Sequence, residues 1–436
     1  MKIRKVLDIT LYSHRATIPL IGSLSIEHYE LSNGLQVAIV PDPTVPIFTY
    51  QTWFKVGSAD EQAGRQGLAH LFEHMMFRKT RNREMGVWER QVNVNGGTGI
   101  NAYTSRDQTV YYFSLPKEKL GLAADLEVDR MTNLVIESEM FETEKGAVLT
   151  ERNRNLDHPG RYLWEELYKL VYPNHPYRYS IIGEENSIKG FTVQDATSFY
   201  QTYYSPNNAL IIIVGDITPN EAISTIAHAY GHLPKSSITE RPYVKEKPPA
   251  SPVTYTLTHK RATQDMIAKA WLIENITHED YPALSVAASL LAGQKTSILF
   301  KNLTNTGKAR NVHADAFVGK DNGTFEFYAE VSEGEDIEHI EEIVIESINE
   351  VLLGQYDENQ LHIVTNMIER ELYANITSPS SMARFLGEGF IYANDFTYQL
   401  GLIDRMKQVT ISDISNVIRK YLIDKSSVTV HLSPGT

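Results

Sequence analysis

Phe191-Thr-Val-Gln-Asp-Ala-Thr-Ser-Phe-Tyr-Gln-Thr-Tyr-Tyr204 is followed, after Ser-Pro, by Asn207-Asn-Ala-Leu-Ile-Ile-Ile-Val-Gly-Asp-Ile217. The first stretch reads as a helix opened by Thr192-x-x-Asp195, close to the Ser/Thr-x-x-Glu box in which two side chains satisfy each other's backbone N–H groups. The second is a β-branched apolar strand. The same pair returns near the end of the chain. Val409-Thr-Ile-Ser-Asp-Ile-Ser-Asn-Val-Ile-Arg-Lys-Tyr-Leu422 opens with Thr410-x-x-Asp413 and leads into Ser426-Ser-Val-Thr-Val-His-Leu-Ser433. The offset, 413 − 195 = 218, is half of the 436 residues. Residues 234–252, PKSSITERPYVKEKPPASP, hold five prolines and few large apolar side chains, the composition of a linker. The soft expectation of about three domains of roughly 150 residues therefore gives way to a duplication: a first half at 1–233, a linker at 234–252 and a homologous half at 253–436.

Working outward, other segments fill in the class. Strand-like runs lie at 35–40, 49–56, 109–115 and 210–214. Helix-like runs lie at 68–78, 118–133, 142–155, 162–171 and 337–353. Strict strand–helix alternation is missing, so the expected class is α+β: two homologous halves, each a mostly antiparallel sheet packed with helices.

The chain has no cysteine, which excludes disulfide scaffolds, iron–sulfur ligation and cysteine nucleophiles. A formal charge of 41 − 54 = −13 argues against non-specific nucleic-acid binding. The N-terminal MKIRKVLDITLYSHRATIPLIG is basic, but Asp8, Ser13, His14 and Arg15 interrupt any apolar run, so no signal peptide is read there. The longest apolar run, 209–214, is too short to span a bilayer. The expected compartment is the cytoplasm, or the periplasm if an export signal was removed.

The segment Gly67-Leu-Ala-His-Leu-Phe-Glu-His-Met-Met-Phe77 carries the chemistry. On a helix, His70 and His74 share one face and can point at one metal ion, with Glu73 beside that face. Hydrolytic zinc takes three protein ligands and keeps one position for water, and a neighbouring carboxylate can take a proton from that water. Two histidines four apart also occur by chance: His228 and His232 do so, but no carboxylate lies between them and Gly231 and Pro234 end the helix. A third ligand must come from elsewhere. In FETEKGAVLTERNRNLDHP, Glu144 and Glu151 are seven residues apart and share a helix face with Val148. Spacing leaves both open.

The GLAHLFEHMMF segment resembles the pitrilysin-like zinc metallopeptidases, the inverzincin type with its H-x-x-E-H order. The likeness extends through VGSADE (56–61), NAYTSRDQTVYYFSLP (101–116) and YSPNNALIIIVGDI (204–217), nearly the whole first half. The family pattern sets a glutamate ligand 77 residues after the second histidine, 74 + 77 = 151, and a supporting catalytic glutamate seven residues earlier. The resemblance thus implies His70, His74 and Glu151 as ligands of one zinc per chain, with Glu73 as general base and Glu144 in support. It implies that Asn101, Ala102, Tyr103 and Thr104 form an edge strand where a peptide adds as an extra strand. The implied activity is endopeptidase action on unfolded oligopeptides inside a clamshell chamber.

One departure bears on partners. The family's second half supplies an arginine and, seven residues on, a tyrosine that bind the substrate carbonyl. In Ser297-Ile-Leu-Phe-Lys-Asn-Leu-Thr304-Asn-Thr-Gly-Lys-Ala-Arg-Asn311 those positions fall on Thr304 and Asn311, and Arg310 is out of register. The expectation is a heterodimer, as in bacterial two-subunit members related to mitochondrial processing peptidase beta, whose partner lacks H-x-x-E-H but carries the arginine and tyrosine; the competing reading is a homodimer. A further small departure is Lys79 in Phe77-Arg78-Lys79-Thr80, where a glycine is usual. The competing functions are a presequence-processing subunit and a non-catalytic structural subunit of the same fold. The second is disfavoured because His70, Glu73, His74, Glu144 and Glu151 are all present.

Overall fold

The computed structural model of the chain describes residues 11–374 and 376–435. Part of the N-terminal reading, residues 1–10, lies outside them. Both predicted helix starts form. Thr192 Oγ1 accepts from the Asp195 N–H at 3.1 Å while the Asp195 carboxylate accepts from the Thr192 N–H at 2.9 Å, opening the helix Val193–Tyr203. Thr410 and Asp413 repeat this at Ile411–Val417.

The strands assemble into two sheets. Sheet one contains β1 (Tyr12–Pro19), β2 (Ser25–Leu31), β3 (Gln36–Pro41), β4 (Ile47–Phe54), β5 (Thr98–Thr104), β6 (Thr109–Pro116) and β7 (Ala209–Gly215), in the order β1-β2-β3-β7-β4-β6-β5. Sheet two contains β8 (Val253–His259), β9 (Met266–Ile273), β10 (Ala309–Phe317), β11 (Gly323–Val331) and β12 (Val428–Pro434), in the order β10-β11-β9-β12-β8. Read in reverse, sheet two repeats β3-β7-β4-β6-β5 of sheet one. The pairing repeats too: β7 is parallel to β3 and antiparallel to β4, and β12 is parallel to β8 and antiparallel to β9. Tyr50 on β4 faces Ile213 and Ile267 on β9 faces His431, offsets of 267 − 50 = 217 and 431 − 213 = 218 in the central strands. The class is therefore mixed α and β, two largely antiparallel sheets packed with helices.

The chain forms two compact units, and they do not follow the cut at 234–252. The first holds the chain through Thr150, Ser180–Arg241 and a piece ending at Thr397; the second holds Glu151–Tyr179, Pro242–Ala374 and Tyr398 onward. The division falls inside the unbroken helix Ser138–Leu156, so that helix is described as one element.

In the first unit, the helices Leu68–Met75, Leu120–Asn133, Val193–Tyr203 and Pro219–Tyr230 share with one sheet face a core that includes Tyr50, Phe72, Leu126, Phe199, Ile211 and Ile226. The opposite face of β4 and β7 is covered by the helix Pro379–Ala393, from the far half of the sequence. Gly387 makes the approach possible, since a Cβ there would lie 2.3 Å from the Trp53 ring. Gln51 Nε2 donates to the Ser380 carbonyl at 2.8 Å. Burying one such tryptophan, about 200 Å² at about 25 cal/mol per Å², is worth at most about 5 kcal/mol.

The second unit mirrors this. The helices Tyr281–Ala292, Ile337–Leu352 and Ile411–Val417 build a core against Trp271, Phe325 and Phe327. The other face of β9 and β12 takes the helix Pro159–Val171, from the first half of the sequence. Small Ala268 and Ala270 alternate with core-facing Lys269 and Trp271, leaving room for it. Tyr168 Oη anchors it by donating to Glu326 at 2.8 Å. Each half of the sequence thus lends a helix to the other's sheet, and Pro159 and Pro379 both stand at first helical positions.

Candidate metal centre

The helix Leu68–Met75 is set in place at both ends and along its inner face. Gly67, at φ 105°, turns the chain into it. A side chain there is strained and would meet the Ile182 carbonyl oxygen at 2.5 Å. The Glu61 carboxylate clamps the first turn, accepting from the Gly67 N–H at 2.8 Å and the Ala69 N–H at 2.7 Å. Burial raises its pKa well above the carboxylate range, against the pull of those two N–H groups. Leu68, Leu71, Phe72 and Met75 face the core. Tyr111 Oη donates to the Phe72 carbonyl at 2.9 Å.

The histidines leave the helix on its other side, their ring centroids 5.0 Å apart. His70 is buried and His74 partly so. Burial, then the nearby His74, lowers the pKa of His70 to about 3, which keeps it in the neutral form that ligates metal. One ligand atom each from His70, His74 and Glu151 lie within 4.8 Å of one another. Among the described residues this is the group of three or more His, Asp and Glu side chains gathered closely enough to hold a metal. Two imidazoles and one carboxylate are a donor set suited to zinc.

Geometry separates the two glutamates that spacing left open. Glu151 joins the histidines, while Glu144 stands one step behind them. An oxygen of Glu144 is 3.7 Å from His74 Nδ1, and Arg78 grips the same carboxylate, Nε to Oε1 at 2.8 Å and Nη2 to Oε2 at 3.1 Å. Burial pushes the Glu144 pKa up, but the neighbouring His74 and Arg78 outweigh it and the net shift is downward. A carboxylate beside one ring nitrogen orients the imidazole and leaves the other nitrogen to ligate.

Glu73 accepts a 2.7 Å hydrogen bond from Thr104 Oγ1, at the end of β5. β5 is the outermost strand of its sheet, paired with β6 through Asn101↔Tyr112, Ala102↔Tyr111, Tyr103↔Val110 and Thr104↔Thr109. Ala102 is buried on the side of the histidine helix, Asn101 is exposed, and Tyr103 stacks edge-on to Trp53 at 6.1 Å and under Arg384 at 4.8 Å. The two other predicted positions, Thr304 and Asn311, lie at the end of a helical turn and on the outermost strand β10; Asn311 and Arg310 are exposed. His228 and His232 are exposed, at and beyond the end of Pro219–Tyr230.

Sequence reasoning missed Glu61 and Arg78 as site residues. Glu61 stood in the quoted VGSADE stretch, and its only local signal was a carboxylate six residues ahead of a glycine that opens a helix. Arg78 stood directly after the histidine helix, but nothing local says it reaches Glu144, 66 residues on.

The chain resembles known proteins over most of its residues. Residues 36–185 match the family described as insulinase (peptidase family M16), and 190–367 match the peptidase M16 inactive domain. The chain is 27% identical over 419 residues to the zinc protease PqqE of Helicobacter pylori, spanning 94% of this chain and 93% of that protein. It is 22% identical over 418 residues to a probable mitochondrial-processing peptidase subunit beta of Arabidopsis thaliana, spanning 93% and 77%. The crystal structure of a protease from Helicobacter pylori superposes with a TM-score of 0.89 at 25% identity, covering 94% of this chain and 99% of that one. With both family models matched in order along its length, the chain belongs to the M16, or pitrilysin-like, family of peptidases.

Proposed function

We propose that this chain is a zinc-dependent endopeptidase that hydrolyses unfolded oligopeptides, with Glu73 as its general base. The observation that carries the reading is the convergence of His70, His74 and Glu151 beside a glutamate that is itself hydrogen-bonded to an edge strand. His70, His74 and Glu151 would hold one zinc per chain. Zinc bound there would polarise a scissile carbonyl and make a water more acidic. Glu73 takes the proton from the attacking water at a carboxylate oxygen and passes it to the leaving amine. Glu144, backed by Arg78, keeps His74 oriented. Asn101, Ala102, Tyr103 and Thr104 offer the unpaired backbone edge of β5 to an extended peptide, and backbone pairing gives broad selectivity.

The carbonyl clamp is supplied by another chain. Thr304 and Asn311 stand where the family carries arginine and tyrosine, which supports a heterodimer with a homologous subunit that lacks H-x-x-E-H and carries that pair, closing a clamshell chamber around the peptide. A relative named as a beta subunit supports the same reading; a homodimer is the competing one. No helix among the described residues is long and apolar enough to cross a membrane, and we place the chain in the cytoplasm, or in the periplasm if exported.

The deciding experiment is metal analysis with a peptide-cleavage assay of the chain alone and with a candidate partner. The expected result is about one zinc per chain, activity only in the mixture, and Glu73→Gln retaining zinc while turnover falls by about 100-fold or more. Cleavage by metal-free protein would overturn the mechanism, and full activity alone would overturn the heterodimer.

A further inference from the structure

The Thr104 hydroxyl makes one hydrogen bond among the described residues, and it goes to Glu73. A β-branched residue at the end of an edge strand needs no hydroxyl for its fold, since valine suits a strand as well. The backbone that carries Thr104 is held firmly. The next residues turn tightly, with the Ser105 N–H donating to the Gln108 carbonyl at 2.8 Å. That turn is stapled to the segment that follows β4 by Ser58 N–H to Ser105 carbonyl at 3.0 Å and Ala59 N–H to Arg106 carbonyl at 2.9 Å. Gly57 is pressed so close that a Cβ would meet the Arg106 carbonyl at 2.5 Å. Arg241 further ties the turn by donating to Asp107 at 2.8 Å.

We infer that Thr104 is a positioning residue for the general base, and that it links the strand that receives the peptide to the group that activates water. This rests on the proposed peptidase reading. The hydroxyl donates to Glu73 Oε2 and so restrains the plane of the carboxylate, which favours one direction for its other oxygen. A base held within a narrow angular range is worth far more than the same base free to turn. Because Thr104 belongs to β5 itself, a peptide that pairs with β5 is registered against the strand that also sets the base.

The test uses Thr104→Val, which keeps the β-branched shape and removes the donor, and Thr104→Ser, which restores it. Each is assayed on a quenched-fluorescence unstructured peptide, with the partner subunit if activity requires it, alongside zinc content and a crystal structure. Thr104→Val is expected to lower kcat by about 10- to 100-fold, with KM and zinc content unchanged and the Glu73 carboxylate turned, and Thr104→Ser to recover most of kcat. Wild-type kcat in Thr104→Val overturns the inference. So does a raised KM with kcat kept, which would make the hydroxyl a peptide contact, or equal impairment in the serine variant. If the wild-type protein cleaves nothing under any condition, the peptidase reading fails first. The crystal structures still decide the positioning role, because an unmoved Glu73 in Thr104→Val overturns it independently of activity.

Discussion

Glu144 and Glu151 show how two identical side chains, seven residues apart on one helix, acquire different work. Glu151 reaches the histidines; Glu144 reaches the back of one of them. Glu151→Gln should therefore lose zinc at concentrations that saturate the wild type. Glu144→Gln should keep the site but weaken it by about 10- to 100-fold, as removal of an outer orienting carboxylate does. Competition with a chromogenic chelator separates the two, and equal losses would show that the roles are not distinct. A second carboxylate, away from the site, reports on acid stability. Glu341 accepts from His431 and Lys269, and these contacts, led by His431 and opposed by burial, bring its pKa from 4.5 to about 2. A carboxyl depressed in the folded state stabilises fully above pH 4.5, and that stability is lost as pH falls toward about 2. Glu341→Gln should flatten the acid limb of a melting-temperature profile between those values, and an unchanged limb would remove the ion pair from the account.

At the scale of elements, the helix starts were legible because a capping box is local chemistry: its partners are three residues apart. Thr192→Ala and Thr410→Ala should each cost about 1 kcal/mol in urea unfolding. The histidine helix was legible at its start, 68, and ends at Met75 rather than 78, since the Phe77 and Arg78 N–H groups bond three residues back, to the His74 and Met75 carbonyls at 3.2 and 2.9 Å. The glutamate helix begins four residues earlier than periodicity placed it, at Ser138. What periodicity does not contain is close backbone packing. Gly67 faces Gly183 across 115 residues of chain, so closely that a Cβ on Gly183 would lie 2.2 Å from the Gln66 carbonyl. Gly67→Ala should cost about 2 kcal/mol or more, from left-handed backbone strain and the clash with Ile182. The loss of zinc should accompany the loss of stability, because the same turn aims His70.

At the scale of the whole molecule, the duplication was legible from the 218-residue offset and reappears in matching strand order. The exchange of helices was not. A helix reads the same from its own residues whichever sheet it covers, and nothing in Pro379–Ala393 names Trp53 as its neighbour until Gly387 is seen against that ring. Splitting the chain within 234–252 should therefore fail to give two independent folded halves. The piece 1–240 would expose Trp53 and Gln51, and the other would expose the face that Pro159–Val171 covers. The two pieces mixed should recover structure that neither has alone. A cooperative melt from the first piece by itself would contradict the exchange.

The borrowed helix also sets a timetable. A ribosome makes this chain from its N-terminus, and the strands and histidines of the first sheet emerge early. The helix that closes the outer face of that sheet begins at Pro379, 379 − 215 = 164 residues after β7 ends. Until that helix emerges the nascent chain carries the candidate metal ligands beside a sheet with one bare face, a surface that invites aggregation or chaperones. Translation thus works as a delay line: the first sheet completes its scaffold only once that distant helix has been made.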